Sequence, residues 1–389
     1  MLTFFMFPNR VIFGPGASGK VGKEAKKMGV KSVLLVTDPG LQACGLSGTI
    51  EDTITGAGLG VSTFGEVVQN PDEECVRKGM AAYDAAGADG IVALGGGSAM
   101  DTAKAIGLMM THPAPLSRYD SAKGGMARIS DLLPPVIAIP TTAGTGSEIS
   151  SFSVITDSSQ NMKLALGSPY LIPKLALVDP ALTLELPREI TINTGVDALT
   201  HLIEGYVSTV PNPMMDRMAL FGLEALRDHL RNVVRDPGNL ESRSEVMMAA
   251  MTGALVYNQK FLGMNHSMAH SLSAVYGLPH GLANGLVLPF TMRFNQPVAA
   301  VQYEEIGKAL GGTDGIEEVK RLLKELGMKL GLRHYGIKPD DIELLATKAF
   351  EDPSHGTNPR QPVGREDFDK LFREAYEWSS QETPRQNGS

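Results

Sequence analysis

Strand and helix signals alternate through the first half of this 389-residue chain, and from Pro187 onward the strand signals nearly vanish. That change of rhythm constrains the fold more than any single motif. Residues 10–13, 32–37, 60–64 and 90–94 are β-branched and aliphatic runs bounded by Gly, Pro or Asp, and residues 20–28, 48–58 and 72–87 between them read as helices. A βαβ rhythm predicts a parallel sheet covered by helices on both faces, with ligands bound beyond the carboxyl ends of its strands. After Pro187, residues 190–207, 213–235, 242–257, 261–276, 281–292, 301–310, 315–330, 339–350 and 366–378 read as helices separated by Gly or Pro. The expected architecture is an α/β domain over residues 1–186 followed by an all-helical domain over residues 187–389.

Two loops stand at strand ends of the α/β part. Gly95-Gly96-Gly97-Ser98 follows a strand and opens a helix, and Ser98 and Asp101 are spaced like a capping box. Three glycines let a phosphate approach the backbone, and the free N–H groups and dipole of the new helix hold its charge. The spacing is not GxGxxG, so the ordinary dinucleotide fingerprint is absent. The second loop, Thr141-Thr142-Ala143-Gly144-Thr145-Gly146-Ser147-Glu148, crowds four hydroxyls at a strand end, which suits a diphosphate or a ribose. Asp38 closes an earlier strand. It is either a turn former before Pro39 or an acceptor for a ribose diol that repels a 2′-phosphate and favours NAD over NADP.

In the helical part three of the eight histidines fall within fifteen residues. His266 and His270 share one helical face at i, i+4, and Gly277 with Pro279 ends that helix and delivers His280 from the next turn. Asp197 and His201 repeat the i, i+4 device on a second helix. Asp197, His201, His266, His270 and His280 together offer enough nitrogen and oxygen to hold a divalent transition metal with a position left open. On helices otherwise made of Met, Ala and Leu these imidazoles are buried, and buried imidazole needs partners.

A net charge of −8 without a basic patch argues against nucleic-acid or membrane-surface binding. Two cysteines, Cys44 and Cys75, cannot build a disulfide framework and fit a reducing, cytoplasmic compartment. The apolar opening, residues 1–7, lacks a basic lead and is too short for a signal or a membrane span; it reads as a strand.

The segments Gly95 to Asp101, Thr141 to Glu148, Gly195-Val-Asp-Ala-Leu-Thr-His201 and His266…His270…Pro279-His280-Gly281 occur in an order that resembles the iron-containing (group III) alcohol dehydrogenase family. The similarity runs nearly end to end, as far as Asn358-Pro359-Arg360. It implies a Rossmann-like, NAD-binding α/β domain and a helical metal-binding domain, with the active site in the cleft between them. Carried over, Asp197, His201, His266 and His280 are the metal ligands, for Fe(II) with Zn(II) or Mn(II) as alternatives. His270 lies beside the substrate as proton relay, suited by an imidazole pKa of roughly 6.5. Gly96, Gly97 and Ser98 contact the pyrophosphate; Thr141, Thr142, Thr145, Lys163 and Leu182 lie along the cofactor; Asp38 and Asn70 lie near the adenosine. Phe152 departs from relatives that carry a polar residue near the nicotinamide. The resemblance also implies a homodimer or higher homo-oligomer.

The implied reaction is hydride exchange between NAD(H) and a small primary alcohol or aldehyde, assisted by a Lewis-acid metal. Within the family, the alternative is a reductase of a small anionic aldehyde, such as a semialdehyde or sulfonated aldehyde. A metal-dependent hydrolase uses the same ligands but has no need of the two strand-end loops. A non-catalytic nucleotide-binding module keeps those loops and tolerates loss of Asp197 and His280.

Overall fold

A computed structural model describes residues 8–160 and 162–378. The strand expected over residues 1–7 and the polar tail from residue 379 lie outside the described residues. The α/β part contains strands β1 (Arg10–Phe13), β2 (Ser32–Val36), β3 (Gly60–Phe64), β4 (Gly90–Gly95), β5 (Val136–Pro140), β6 (Phe152–Asp157), β7 (Met162–Gly167) and β8 (Leu175–Val178). Its helices are α1 (Val21–Lys27), α2 (Pro39–Ala43), α3 (Leu46–Gly56), α4 (Glu73–Ala85) and α5 (Gly97–Met109).

Six strands form one parallel sheet in the order β1-β8-β5-β4-β2-β3. Both faces are covered, and successive side chains of β2 show it. Leu34 and Val36 pack with α4 and α5 through Val76 and Ile106, whereas Val33 and Leu35 pack with α1 and α3 through Ala25 and Ile50. Burial on both faces is why the inner strands β2, β4, β5 and β8 read as aliphatic runs with no polar alternation, whereas the edge strands β1 and β3 carry Arg10, Ser62 and Thr63. The chain steps outward from β2 to β3 and then crosses to β4 on the other side of β2. This reversal opens a crevice at the carboxyl ends of β2 and β4, where Asp38 and Gly95 lie.

The helical part comprises α6 (Arg188–Val207), α7 (Pro213–Arg235), α8 (Leu240–Lys260), α9 (Met264–Tyr276), α10 (His280–Ala309), α11 (Gly315–Glu325), α12 (Ile342–Glu351) and α13 (Arg365–Glu377). The division drawn between Leu186 and Pro187 falls in the link between β8 and α6. Helix α6 is buried on nearly every side, so its polar residues face neighbours and not water.

Two sequence expectations need correction, one pair of helices has different bounds, and one hairpin is new. The capping box does not form: Gly96 is the N-cap of α5, and the Asp101 carboxylate is taken instead by Ser147 Oγ at 2.7 Å and the Val154 N–H at 3.0 Å. The helices expected over residues 281–292 and 301–310 are two helical segments, labelled together as α10 and joined across a kink at Ala299 (φ −130, ψ 27), two residues after Pro297; the first segment runs through Pro289 and past its expected end at Met292. The helix expected from Phe261 begins at Met264, since Phe261 has φ +61 and ends α8. The hairpin of β6 and β7 was unforeseen, although residues 152–157 bury every second side chain.

Candidate metal centre and cofactor cleft

Helices α6, α9 and α10 converge on one point. Gly277, with φ +67, closes α9, and Pro279 caps α10, so His280 is the first residue of the new helix. The next residue fixes the distance to α6: a Cβ on Gly281 would lie 1.9 Å from the Asn193 carbonyl oxygen, so only glycine lets α10 start against α6. As a result Asp197, His201, His266 and His280 bring four donor atoms within 4.8 Å of one another. Asp197 Oδ1 is 3.5 Å from His280 Nε2 and 3.8 Å from His201 Nε2. The rings of His201 and His266 are stacked with centroids 4.8 Å apart.

Electrostatics at this cluster favour a cation. Burial lowers the His266 pKa well below its usual value, and neighbouring imidazoles push the same way. Burial likewise lowers His280. Glu204, one further turn along the Asp197 and His201 face of α6, is raised to about 7 by burial. Its Oε2 lies 2.5 Å from His266 Nδ1 and its Oε1 accepts the Asn265 N–H at 2.7 Å. One proton on the Glu204–His266 bond leaves the Nε2 lone pair of His266 for the centre, the arrangement by which outer carboxylates orient metal-binding histidines. His201 Nδ1 is buried and has no hydrogen-bond partner. One carboxylate and three imidazoles, all but His280 buried and His201 Nδ1 without a partner, fit a divalent transition metal.

His270 stands outside the four. Its Nδ1 is 2.7 Å from Asp352 Oδ2, and it lines the cleft. Burial alone raises the Asp352 pKa, but the charge of His270 and hydrogen bonds from His270 and Ser354 outweigh it and hold the carboxyl below the usual range. Asp352 therefore fixes which ring nitrogen of His270 faces the cavity.

The cleft has a volume of about 380 Å³ and runs from the four-donor cluster to the amino end of α5. Gly97, Ser98, Asn70, Thr145 and Lys163 line it. A Cβ on Gly97 would lie 2.7 Å from Thr145 Cγ2, and one on Gly96 3.2 Å from Thr142 Oγ1. The glycines thus have a packing role as well: they let the threonine loop lie on the start of α5. The same loop is held from the other side by α8, where Tyr257 donates to the Thr145 carbonyl at 2.8 Å and Asn258 donates to the Ile149 carbonyl and accepts from the Ser151 N–H, both at 3.0 Å. Lys104 is buried beneath it and donates to Ser147 Oγ and to the carbonyls of Ser150 and Phe152.

Not every expected cofactor residue reaches the cleft wall. Asn70, expected on the adenosine side, accepts a hydrogen bond from Lys163 at 2.9 Å, and both line the cavity. Thr141 is buried, Gly96, Thr142 and Leu182 are partly covered, and none of these lines the cavity. Asp38 caps α2 through the Gly40 and Leu41 N–H groups, the turn role considered for it, and a Cβ on Gly95 would lie 3.6 Å from its other oxygen. Three residues escaped the sequence reading. Glu204 was detectable as the i+7 partner of Asp197, and Asn284 as the i+4 partner of His280. Asp352 lies 82 residues from His270 and had no local signal.

The profile described as "Iron-containing alcohol dehydrogenase" matches residues 8–180, and that described as "Fe-containing alcohol dehydrogenase family, C-terminal" matches residues 191–376. The chain is 37% identical over 372 residues to a 4-hydroxybutyrate dehydrogenase of Cupriavidus necator, covering 92% of this chain and 96% of that one. Among solved structures, a 1,3-propanediol oxidoreductase superposes with a TM-score of 0.92 at 32% identity, over 96% of this chain and 100% of the other. A sulfoacetaldehyde reductase from Bifidobacterium kashiwanohense, solved in complex with NAD+, gives a TM-score of 0.87 at 28% identity, over 97% of this chain and 100% of the other.

Proposed function

Because the chain belongs to the iron-containing alcohol dehydrogenase family, we propose that it exchanges a hydride between NAD(H) and a small uncharged primary alcohol or its aldehyde. It is an oxidoreductase, and its relatives act on alcohols and aldehydes. One observation carries the reading: the four-donor cluster and the glycine-rich start of α5 open onto the same cavity. A hydrolase has no use for the second of these features.

Asp197, His201, His266 and His280 would hold the metal, with Asp197 as the one anionic donor. When bound, the metal supplies Lewis acidity that eases removal of a proton from an alcohol and polarises an aldehyde carbonyl. The family relation favours iron, with zinc or manganese as alternatives, and elemental analysis of protein purified without air tests this. His270, oriented by Asp352, holds and moves the proton between substrate and solvent. The N–H groups of Gly97 and Ser98 at the start of α5 would receive the pyrophosphate, with Gly96 giving room. Thr141, Thr142, Thr145 and Leu182 support the cofactor's length, and Asp38 disfavours a 2′-phosphate. Free thiols at Cys44 and Cys75 support a reducing, cytoplasmic setting. A homodimer is expected from the family.

An uncharged substrate is favoured because Lys163 is the one lysine or arginine among the described lining residues, and with two of its donors on Asn70 and Thr156 its one remaining N–H is assigned to the cofactor. Phe152, Phe261 and Leu262 add apolar surface to the wall, and its serines and threonines are uncharged. The test is NADH oxidation with short aldehydes that carry or lack an acidic group. Preference for the uncharged series is expected; preference for the acidic one overturns the substrate assignment, and inertness toward all aldehydes overturns the reaction.

Lys163 also gives a pH dependence. Burial lowers its pKa to about 8, so its ammonium is present below that pH and lost as pH rises through it. NADH affinity should weaken roughly tenfold across that step, the worth of one charge-assisted hydrogen bond. Fluorescence titrations of NADH on both sides of the step check it, and in Lys163→Met the step should be gone.

A further inference from the structure

Asn284 takes no part in the mechanism above, yet it touches three of the four donors. It lies one turn after His280 on α10 and is fully buried. Its Nδ2 is 2.8 Å from Asp197 Oδ1, 3.2 Å from His280 Nε2 and 3.3 Å from His266 Nε2.

The orientation of this amide is fixed by its surroundings. Asn265 Nδ2 lies 3.3 Å from the Asn284 backbone carbonyl and 3.0 Å from Asn284 Oδ1. A carbonyl only accepts, so the Asn265 group facing it must be the NH₂, and Asn284 must therefore turn its oxygen to Asn265 and its NH₂ to the centre. Thr291 Oγ1 donates to Asn265 Oδ1 at 2.9 Å and keeps Asn265 in that sense. The Asn265 N–H in turn binds Glu204, which holds His266. Glu204, His266, Asn284 and Asn265 thus close a ring of hydrogen bonds among buried residues.

What the NH₂ does there follows from counting lone pairs. A carboxylate oxygen has room for an N–H and a cation together. A neutral imidazole has one lone pair, so Nε2 of His266 or His280 either accepts from Asn284 or binds a cation. We infer that Asn284 is a positioning residue that competes with the metal: of its two N–H bonds one goes to Asp197 Oδ1 and the other is shared between the Nε2 lone pairs of His266 and His280, which it must yield when an ion binds. The role rests on the metal assignment above.

The amide and the ion compete, so removing Asn284 should help the ion and harm the empty protein. In Asn284→Ala, the metal-stripped chain should lose more thermal stability than the Zn(II)-loaded chain, and Zn(II) should bind about tenfold more tightly, the net worth of one lost competing hydrogen bond. Competition with a chromogenic chelator gives the affinity, and melting with and without Zn(II) gives the stabilities. Asn284→Ser keeps a single donor and should show the same signs at smaller size, which covers an alanine variant that fails to fold when stripped. Equal destabilisation of both forms, or Zn(II) binding that is unchanged or weaker, overturns the inference and leaves Asn284 a packing residue. A wild-type chain that binds neither Zn(II) nor Fe(II) sinks the metal assignment and this role with it, whereas a metal-binding wild type beside a variant of unchanged affinity sinks this role alone.

Discussion

Asp197→Asn is expected to give a folded protein that retains little metal and turns over at least about 10³-fold more slowly, since Lewis-acid assistance amounts to several kcal/mol of barrier. The substitution keeps size and shape and removes the single negative charge of the donor set. Asp197 is also the hub of the cluster, with the His201, His280 and Asn284 nitrogens all facing its Oδ1. An amide there offers either an N–H toward groups that need acceptors or a neutral oxygen too weak to offset burial of a divalent ion. Elemental analysis after dialysis, beside circular dichroism and kcat, checks the result. Full metal content with normal turnover would mean that the ion is held elsewhere.

His270→Ala should separate chemistry from metal binding. Turnover is expected to fall by about 10²- to 10⁴-fold, the usual range for loss of a positioned acid or base. Metal content should stay at the wild-type level, because His270 is not among the four residues whose donor atoms lie within 4.8 Å of one another. The fold should survive. The carboxylate left behind, Asp352, keeps the Ser354 N–H at 2.9 Å and Ser267 Oγ at 3.2 Å, so it is not stranded in the interior. Loss of metal from this variant would move His270 into the coordination sphere and would require a new candidate for the proton relay.

The parallel sheet and the helical half were legible because their patterns are local. Strands buried on both faces are aliphatic throughout, as Val33 to Val36 are, and a change from short aliphatic runs to a period of 3.6 needs no partner to be seen. The histidines were legible because i, i+4 spacing and the Gly277-Pro279 break are properties of a dozen residues. What stayed hidden depends on contacts distant in sequence. Asp352 meets His270 only after α12 packs on α9, and Asp101, spaced as a cap in sequence, is drawn off by Ser147 and Val154 from another segment. Proline in α10 behaves in two ways: the helix breaks at Ala299, two residues after Pro297, but it passes through Pro289, where the surrounding residues are buried and packing outweighs the helix-breaking tendency. The alternation in β6 was present in the sequence, but polar residues on its covered face, Ser153 and Asp157, masked it.

The threonine loop belongs to the first half by sequence and to the second by attachment. Its carbonyls at Thr145 and Ile149 and its N–H at Ser151 find their partners on α8, through Tyr257 and Asn258. Severed near residue 186, the amino-terminal piece would therefore carry a sheet and a glycine turn but a slack nucleotide shelf with stranded backbone groups. If the loop carries the cofactor as proposed, the two halves own that seat jointly, and transplanting the first half alone would leave it without its clamp.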